Sequence, residues 1–165
     1  MRLRSWALVL AVVLLGGCSS ADSSEQSAGD PLTGADLSAA SAEQAAEISD
    51  REASADDYQA AFQRFRECLS AAGFELTDVE FKNNLYEFGV PNAAVEDGAD
   101  EECYRAEFYY VDMLWQSSDL VQNSSETTQL LRECLAERGI EPQDTAAEID
   151  AQLREAGIEP PECLQ

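Results

Sequence analysis

Histidine is absent from all 165 residues. That removes imidazole general bases, Ser-His triads and His-ligated metal sites together. No C-x-x-C occurs among the five cysteines, so a thioredoxin-like redox role has no support. No G-x-S-x-G nucleophile turn and no phosphate-cradling Gly loop is present. Basic residues are scarce, 10 against 33 acids, a net charge of −23. A surface of that sign repels nucleic acid and anionic lipid, and attracts cations or basic proteins. Much of this charge is also what a solvated, exported domain carries simply to stay soluble. The one long apolar run, residues 6–15, is too short to span a bilayer, which takes about 20 residues in a helix.

That run has a recognisable context. Arg2 and Arg4 precede it, and "LLGGC" closes it at Cys18. A charged start, a short apolar stretch and small residues before a cut site make a secretory signal. The ending resembles the lipobox of bacterial lipoproteins, in which the Cys is lipidated and becomes the first mature residue. The resemblance covers residues 1–18. It implies a signal peptide over 1–17, a lipid anchor on Cys18, and a location on the extracytoplasmic face of the membrane. Removing 1–17 takes away Arg2 and Arg4 and no acids, leaving 8 basic and 33 acidic residues, a net charge of −25. Each buried CH2 contributes about 0.8 kcal/mol, so two acyl chains hold a protein stably on a membrane.

Residues 18–54 are expected to form the lipidated Cys and a disordered tether, since Ser, Ala, Glu, Asp and Gly dominate and no aromatic occurs. "SAEQAAEISDREA" within it has the makings of a transient helix. A flexible chain of about 35 residues spans roughly 30–35 Å. The folded part is expected over residues 55–165. Ser54 and Asp57 form a capping box, and Tyr58, Ala61, Phe62, Phe65, Cys68, Leu69 and Ala72 follow at helical spacing up to Gly73. Residues 74–90 alternate as a β-hairpin around "KNN", ended by Pro91. "PNAAVEDGADEE" reads as an acidic loop before a second helix over about 100–117, broken by "SSDLVQNSS". Ser125 caps a third helix over about 126–138. Thr145 and Glu148 cap a short fourth, with Ile149 and Leu153 inward and Gly157 at its end. The tail "IEPPECLQ" reads as extended. The fold class is mainly α with a small β-hairpin (α+β).

"RECL" occurs twice, in "FRECLSAAGFE" and "LRECLAERGIE", and "LREAGIEP" echoes "LAERGIEP". Each copy places Cys about one turn before a helix end, Leu beside it, and Gly as the stop. The domain therefore reads as two related, disulfide-stapled half-units. Cys68, Cys103, Cys134 and Cys163, an even set in an exported chain, suggest two disulfides. Four cysteines allow three pairings. The repeat favours Cys68 with Cys103 and Cys134 with Cys163; the rival Cys68–Cys134 would join the copies to each other. The pattern resembles small exported lipoproteins of actinobacteria, a resemblance confined to these stretches and implying no activity.

Three constellations are weighed for chemistry. Glu96, Asp97, Asp100, Glu101 and Glu102 are the best cation candidate, but the EF-hand spacing is missing and no metal site is assigned. A solvated loop and helix start is the plainer reading of them. Phe108, Tyr109 and Tyr110 with Trp115 give a helix that is apolar on more than one face, so it is either central or bears a binding patch. Phe108 and Trp115, a heptad apart, share one face; with Tyr110 and with Tyr86 and Phe88 of the hairpin they are the candidate ligand face, core packing being the plainer alternative. Paired carboxylates could cut glycosides, though 33 acids guarantee chance pairs. The resulting expectation is a cell-envelope lipoprotein, a non-enzymatic binding or interaction module without cofactor. Its partners are the membrane, through Cys18, and an envelope protein or ligand, not nucleic acid. The alternative is a secreted, carboxylate-dependent hydrolase of envelope carbohydrate. A solute-binding subunit of a transporter fits poorly, because such two-lobed binders need a longer chain.

Overall fold

Ser54 starts the longest helix as its neighbours require: its Oγ accepts the Asp57 N–H, and the Asp57 carboxylate accepts the Ser54 N–H at 2.9 Å. The computed structural model describes residues 30–164. Cys18, the leader and the first part of the expected tether lie outside the described residues. In order come α1 (Ala42–Glu47), α2 (Ala55–Ala71), β1 (Thr77–Lys82), β2 (Leu85–Gly89), α3 (Asn92–Asp97) and α4 (Ala99–Glu107). They are followed by α5 (Tyr109–Gln116), α6 (Asp119–Ser124), α7 (Glu126–Glu137), α8 (Ala146–Ala156) and a 3-10 turn, Pro160–Glu162. The protein is mainly helical, with one two-stranded antiparallel hairpin.

The largest core lies where α2 packs antiparallel to α4 and α5. Cys68 meets Cys103, Arg64 meets Glu107, and Tyr58 meets Trp115, so one chain rises as the other falls. Phe62, Phe65, Tyr58 and Phe108 form its centre, and Tyr86 of the hairpin stacks on Phe62 with ring centroids 3.8 Å apart. The hairpin is closed by Asn83 and Asn84, with φ of 50° and 65°. Positive φ at both central residues gives a two-residue turn whose twist suits the strands. Only β2 touches the core; β1 is exposed along its length, with Phe81 54% accessible.

Both expected disulfides are present: Cys68–Cys103 ties α2 to α4, and Cys134–Cys163 ties α7 to the tail, with Cα separations of 5.6 and 5.5 Å. The repeat has a definite physical meaning. At the end of α2 the Gly73 N–H bonds to Ser70 O and the Phe74 N–H to Leu69 O. At the end of α7 Gly139 and Ile140 bond to Ala136 O and Leu135 O, and after α8 Gly157 and Ile158 bond to Arg154 O and Leu153 O. This is the Schellman arrangement, in which a left-handed Gly lets the chain fold back and an apolar residue after it packs on the helix. Gly73, Gly139 and Gly157 all have φ between 69° and 91°. Leu69, Leu135 and Leu153 are all fully buried. The two stapled parts are unequal: the second core has three fully buried residues, Leu135, Ile149 and Leu153, with Leu131, Ile140, Ile158 and Cys163 half-buried around them.

Five expectations are corrected. The folded part begins before residue 55: Leu32, Gln44 and Ile48 are buried, and α1 lies against α4 and α5. The acidic stretch after Pro91 is α3, not a loop, and "SSDLVQNSS" contains α6, capped by Ser118. The tail makes a 3-10 turn at Pro160, since a proline at the first position of a turn has no needed N–H to lose. The second long helix is two helices, broken at Phe108 (φ −135°, ψ −37°).

That break is filled by a side chain. Interrupting the helix at Phe108 frees the carbonyls of Arg105 and Ala106 and the amides of Tyr110 and Val111. The Gln44 amide donates to Arg105 O (2.9 Å) and Ala106 O (2.6 Å), and its oxygen accepts from Tyr110 N (2.8 Å) and Val111 N (3.4 Å). A kink in a helix of this kind is stabilised when a side chain inserts into the hydrogen-bond ladder. Arg64 reinforces the docking by bridging Glu47 of α1, with two bonds of 2.8 and 2.6 Å, and Glu107 at 3.1 Å.

Candidate functional site

The aromatic residues expected to form a ligand face are inside the protein. Phe108 and Tyr110 are 1% exposed and Trp115 4%. Their polar ends are used internally: Trp115 Nε1 donates to Asn84 O at 2.7 Å, and the Tyr110 hydroxyl to Asp36 O at 2.5 Å. Tyr86 and Phe88 are half-buried on the same core. The ligand-face reading is thus overturned in favour of packing, because α2, the hairpin and residues 30–54 cover the sides of α5 that carry Tyr110 and Trp115. Asn123, in the "NSS" triplet, accepts the Ala146 N–H at 2.8 Å and so helps to start α8.

The acidic candidates are split by Gly98, with Glu96 and Asp97 ending α3 and Asp100, Glu101 and Glu102 opening α4. Acids in a first helical turn are favoured by the helix dipole. Burial, and then the charge of Glu101, hold Asp100 above its ordinary value. Among the described residues no group of three or more His, Cys, Asp or Glu side chains could hold a metal ion.

One carboxylate stands apart, and the sequence reading missed it. Asp112 lies in the apolar run "YYVDMLW" of α5 and is only 6% exposed. Tyr104 of α4 donates its hydroxyl to Asp112 Oδ2 at 2.5 Å, and Gln116 donates its amide to the same oxygen at 2.8 Å. Tyr58 of α2 is a further hydrogen-bonding neighbour, and its own oxygen accepts the Tyr86 N–H at 3.1 Å. All these partners are neutral. Among the described residues Asp112 takes part in no ion pair. Burial raises the Asp112 carboxyl above its usual range, against the opposing bonds from Tyr104, Gln116 and Tyr58. Burial likewise pushes both tyrosines up, with the Asp112 charge adding to it. A lone acid in an otherwise apolar helix was the available signal, since a buried charge must find partners.

Asp112 reaches the surface at the floor of an open cleft of about 440 Å3, walled by Tyr104, Tyr109, Met113 and Gln116, with Pro31 and Gln122 at its rim. A larger depression, about 490 Å3, lies over Glu101, Glu102 and Arg105, but Arg105 is already engaged there by Glu101 at 3.6 Å. The Asp112 cleft is the better candidate because it combines concavity, aromatic walls and a perturbed titratable group. No second Asp or Glu lines it. Glycoside hydrolysis uses two carboxyls about 5–10 Å apart, so this cleft by itself is not built for that reaction. It offers one carboxylate held by neutral donors, beside two tyrosine rings and a thioether. No family model, curated protein or solved structure matches this chain.

The raised Asp112 value sets a pH dependence. The folded chain binds this proton more readily than the unfolded one. Its contribution to stability is therefore full below the ordinary carboxylate value of 3.8 and falls as pH rises through the higher folded value. Asp112→Asn keeps an acceptor for Tyr104 and Gln116 and offers an N–H to Tyr58. It should be at least as stable as the wild type at neutral pH, with the advantage vanishing below about pH 4. Thermal melts of both proteins across pH would check this; a variant less stable at neutral pH than in acid, relative to wild type, would contradict it.

Proposed function

We propose that this chain is a lipid-anchored cell-envelope protein whose folded part is a non-enzymatic binding module outside the membrane. The observation that carries this reading is the pair of disulfides. All four cysteines after Cys18 are bridged, locally along the chain, as suits an oxidising compartment. The "LLGGC" ending at Cys18 supports a lipid anchor, and the excess of acids supports a domain that stays clear of anionic headgroups. The Asp112 cleft, with one carboxylate and no histidine in the chain, favours binding over turnover.

Labelling with a palmitate analogue tests the anchor. The wild-type chain should take up label and fractionate with the membrane, while Cys18→Ser should lose both the label and cleavage before residue 18. Label persisting on the Ser variant, or absent from the wild type, would refute the anchor.

A further inference from the structure

We propose that the Asp112 cleft binds the ammonium group of a small organic cation. The floor supplies the charge. Asp112 is a buried carboxylate satisfied only by the neutral groups Tyr104, Gln116 and Tyr58, with no cationic partner among the described residues. A buried charge without a counter-ion is costly, so an arriving cation gains more here than at an exposed acid. The walls supply the second element. Tyr104 and Tyr109 meet edge to face with centroids 5.7 Å apart, and Met113 lies beside them. Aromatic faces attract ammonium groups, most strongly where water is partly excluded. Tyr109 already does so within the protein, holding the Arg105 guanidinium over its ring at 5.7 Å.

The same features argue against other occupants. A hard metal ion wants six or more oxygens and more than one carboxylate to hold it, whereas Asp112 is the one acid here, beside the neutral Gln116, Ser117 and Gln122, two rings and a thioether. An anion would meet both Asp112 and the field of a strongly negative chain, which instead concentrates cations at its surface. This proposal rests on the reading of the domain as a binding module, but not on the lipid at Cys18.

Met113 provides the reporter. The sequence has only two methionines, and the other, Met1, lies in the leader. The full-length chain, carrying methyl-labelled methionine and held in detergent, is titrated with choline and with its uncharged carbon isostere, dimethylbutanol. Sodium and magnesium chloride at matched ionic strength serve as controls. The Met113 methyl resonance should shift saturably with choline, at a midpoint about tenfold or more below that of the isostere. Asp112→Asn should abolish this preference. Tyr109→Ala, a half-buried wall residue, should weaken choline by about tenfold while the thermal midpoint stays near wild type. Absence of saturation, equal midpoints for choline and its isostere, the same shift from inorganic salt, or wild-type binding by both variants would each overturn the proposal. Failure here would leave palmitate labelling untouched, so the anchor and the ligand are judged separately.

Discussion

Gln44→Leu should destabilise the folded chain by about 3 kcal/mol or more, because each buried polar group left without a partner costs about 1–3 kcal/mol. The loss arises at the break at Phe108. Leucine matches the side chain in bulk, so the loss is not a cavity. It is the loss of an acceptor for the Tyr110 and Val111 amides and of a donor to Arg105 O. Ala106 O is spared, because it also accepts the Ser41 N–H at 2.8 Å. Gln44 is completely buried, so water does not readily replace these bonds. In a domain of this size the change should lower the thermal midpoint by roughly 10 °C. Hydrogen exchange gives the sharper reading: the Tyr110 and Val111 amides should lose protection before the rest of α5. Unchanged protection at those two amides would show that the plug does not hold the break.

The same residues explain what composition concealed. A window over residues 18–54 is mostly polar and small, and its average describes a chain that stays unfolded. Docking depends instead on a few side chains: Leu32 and Ile48 for burial, Gln44 for the helix break, and Glu47 for Arg64. None of these is unusual by itself, and each becomes meaningful only beside α4 and α5. The break at Phe108 was hidden for a related reason. Residues 99–116 have one continuous helical pattern, and the interruption is stabilised by a residue more than sixty positions away. Local signals fared better where both partners sit within one turn. The Ser54–Asp57 and Thr145–Glu148 boxes, the Ser125 cap and the left-handed Gly73, Gly139 and Gly157 were all legible, because four or five consecutive residues determine each one. The disulfide pairing was legible from the repeat. The aromatic faces of α5 were not, since a helix apolar all round gives no direction until its neighbours are placed. Asp112 was overlooked among 33 acids because what distinguishes it is burial, which depends on Tyr58 and Tyr104 from other helices.

Removing the second bridge, by Cys134→Ala with Cys163→Ala, should unfold one end of the protein and spare the other. Loop closure over a sequence separation of 29 residues is worth about 3.5 kcal/mol. By that measure alone the bridge resembles Cys68–Cys103, which spans 35. What differs is the core behind each. Cys68–Cys103 lies against the aromatic cluster of Tyr58, Phe62, Phe65 and Phe108, whereas Cys134–Cys163 closes over three fully buried side chains, Leu135, Ile149 and Leu153, with Leu131, Ile140 and Ile158 half-buried beside them. A core of that size gains too little from burial to offset the ordering of α8 and the tail, which costs about 1–2 kcal/mol per residue in backbone entropy. Asn123 at the start of α8 and the Schellman turns at Gly139 and Gly157 direct the chain but supply little of that deficit. The variant should therefore lose amide protection at Ile149 and Leu153 while Trp115 keeps its buried fluorescence. Cys68→Ala with Cys103→Ala should instead shift both signals together. A variant lacking the second bridge in which Trp115 unfolds along with α8 would mean that the two cores are one cooperative unit, and that the repeated RECL segments staple a single body.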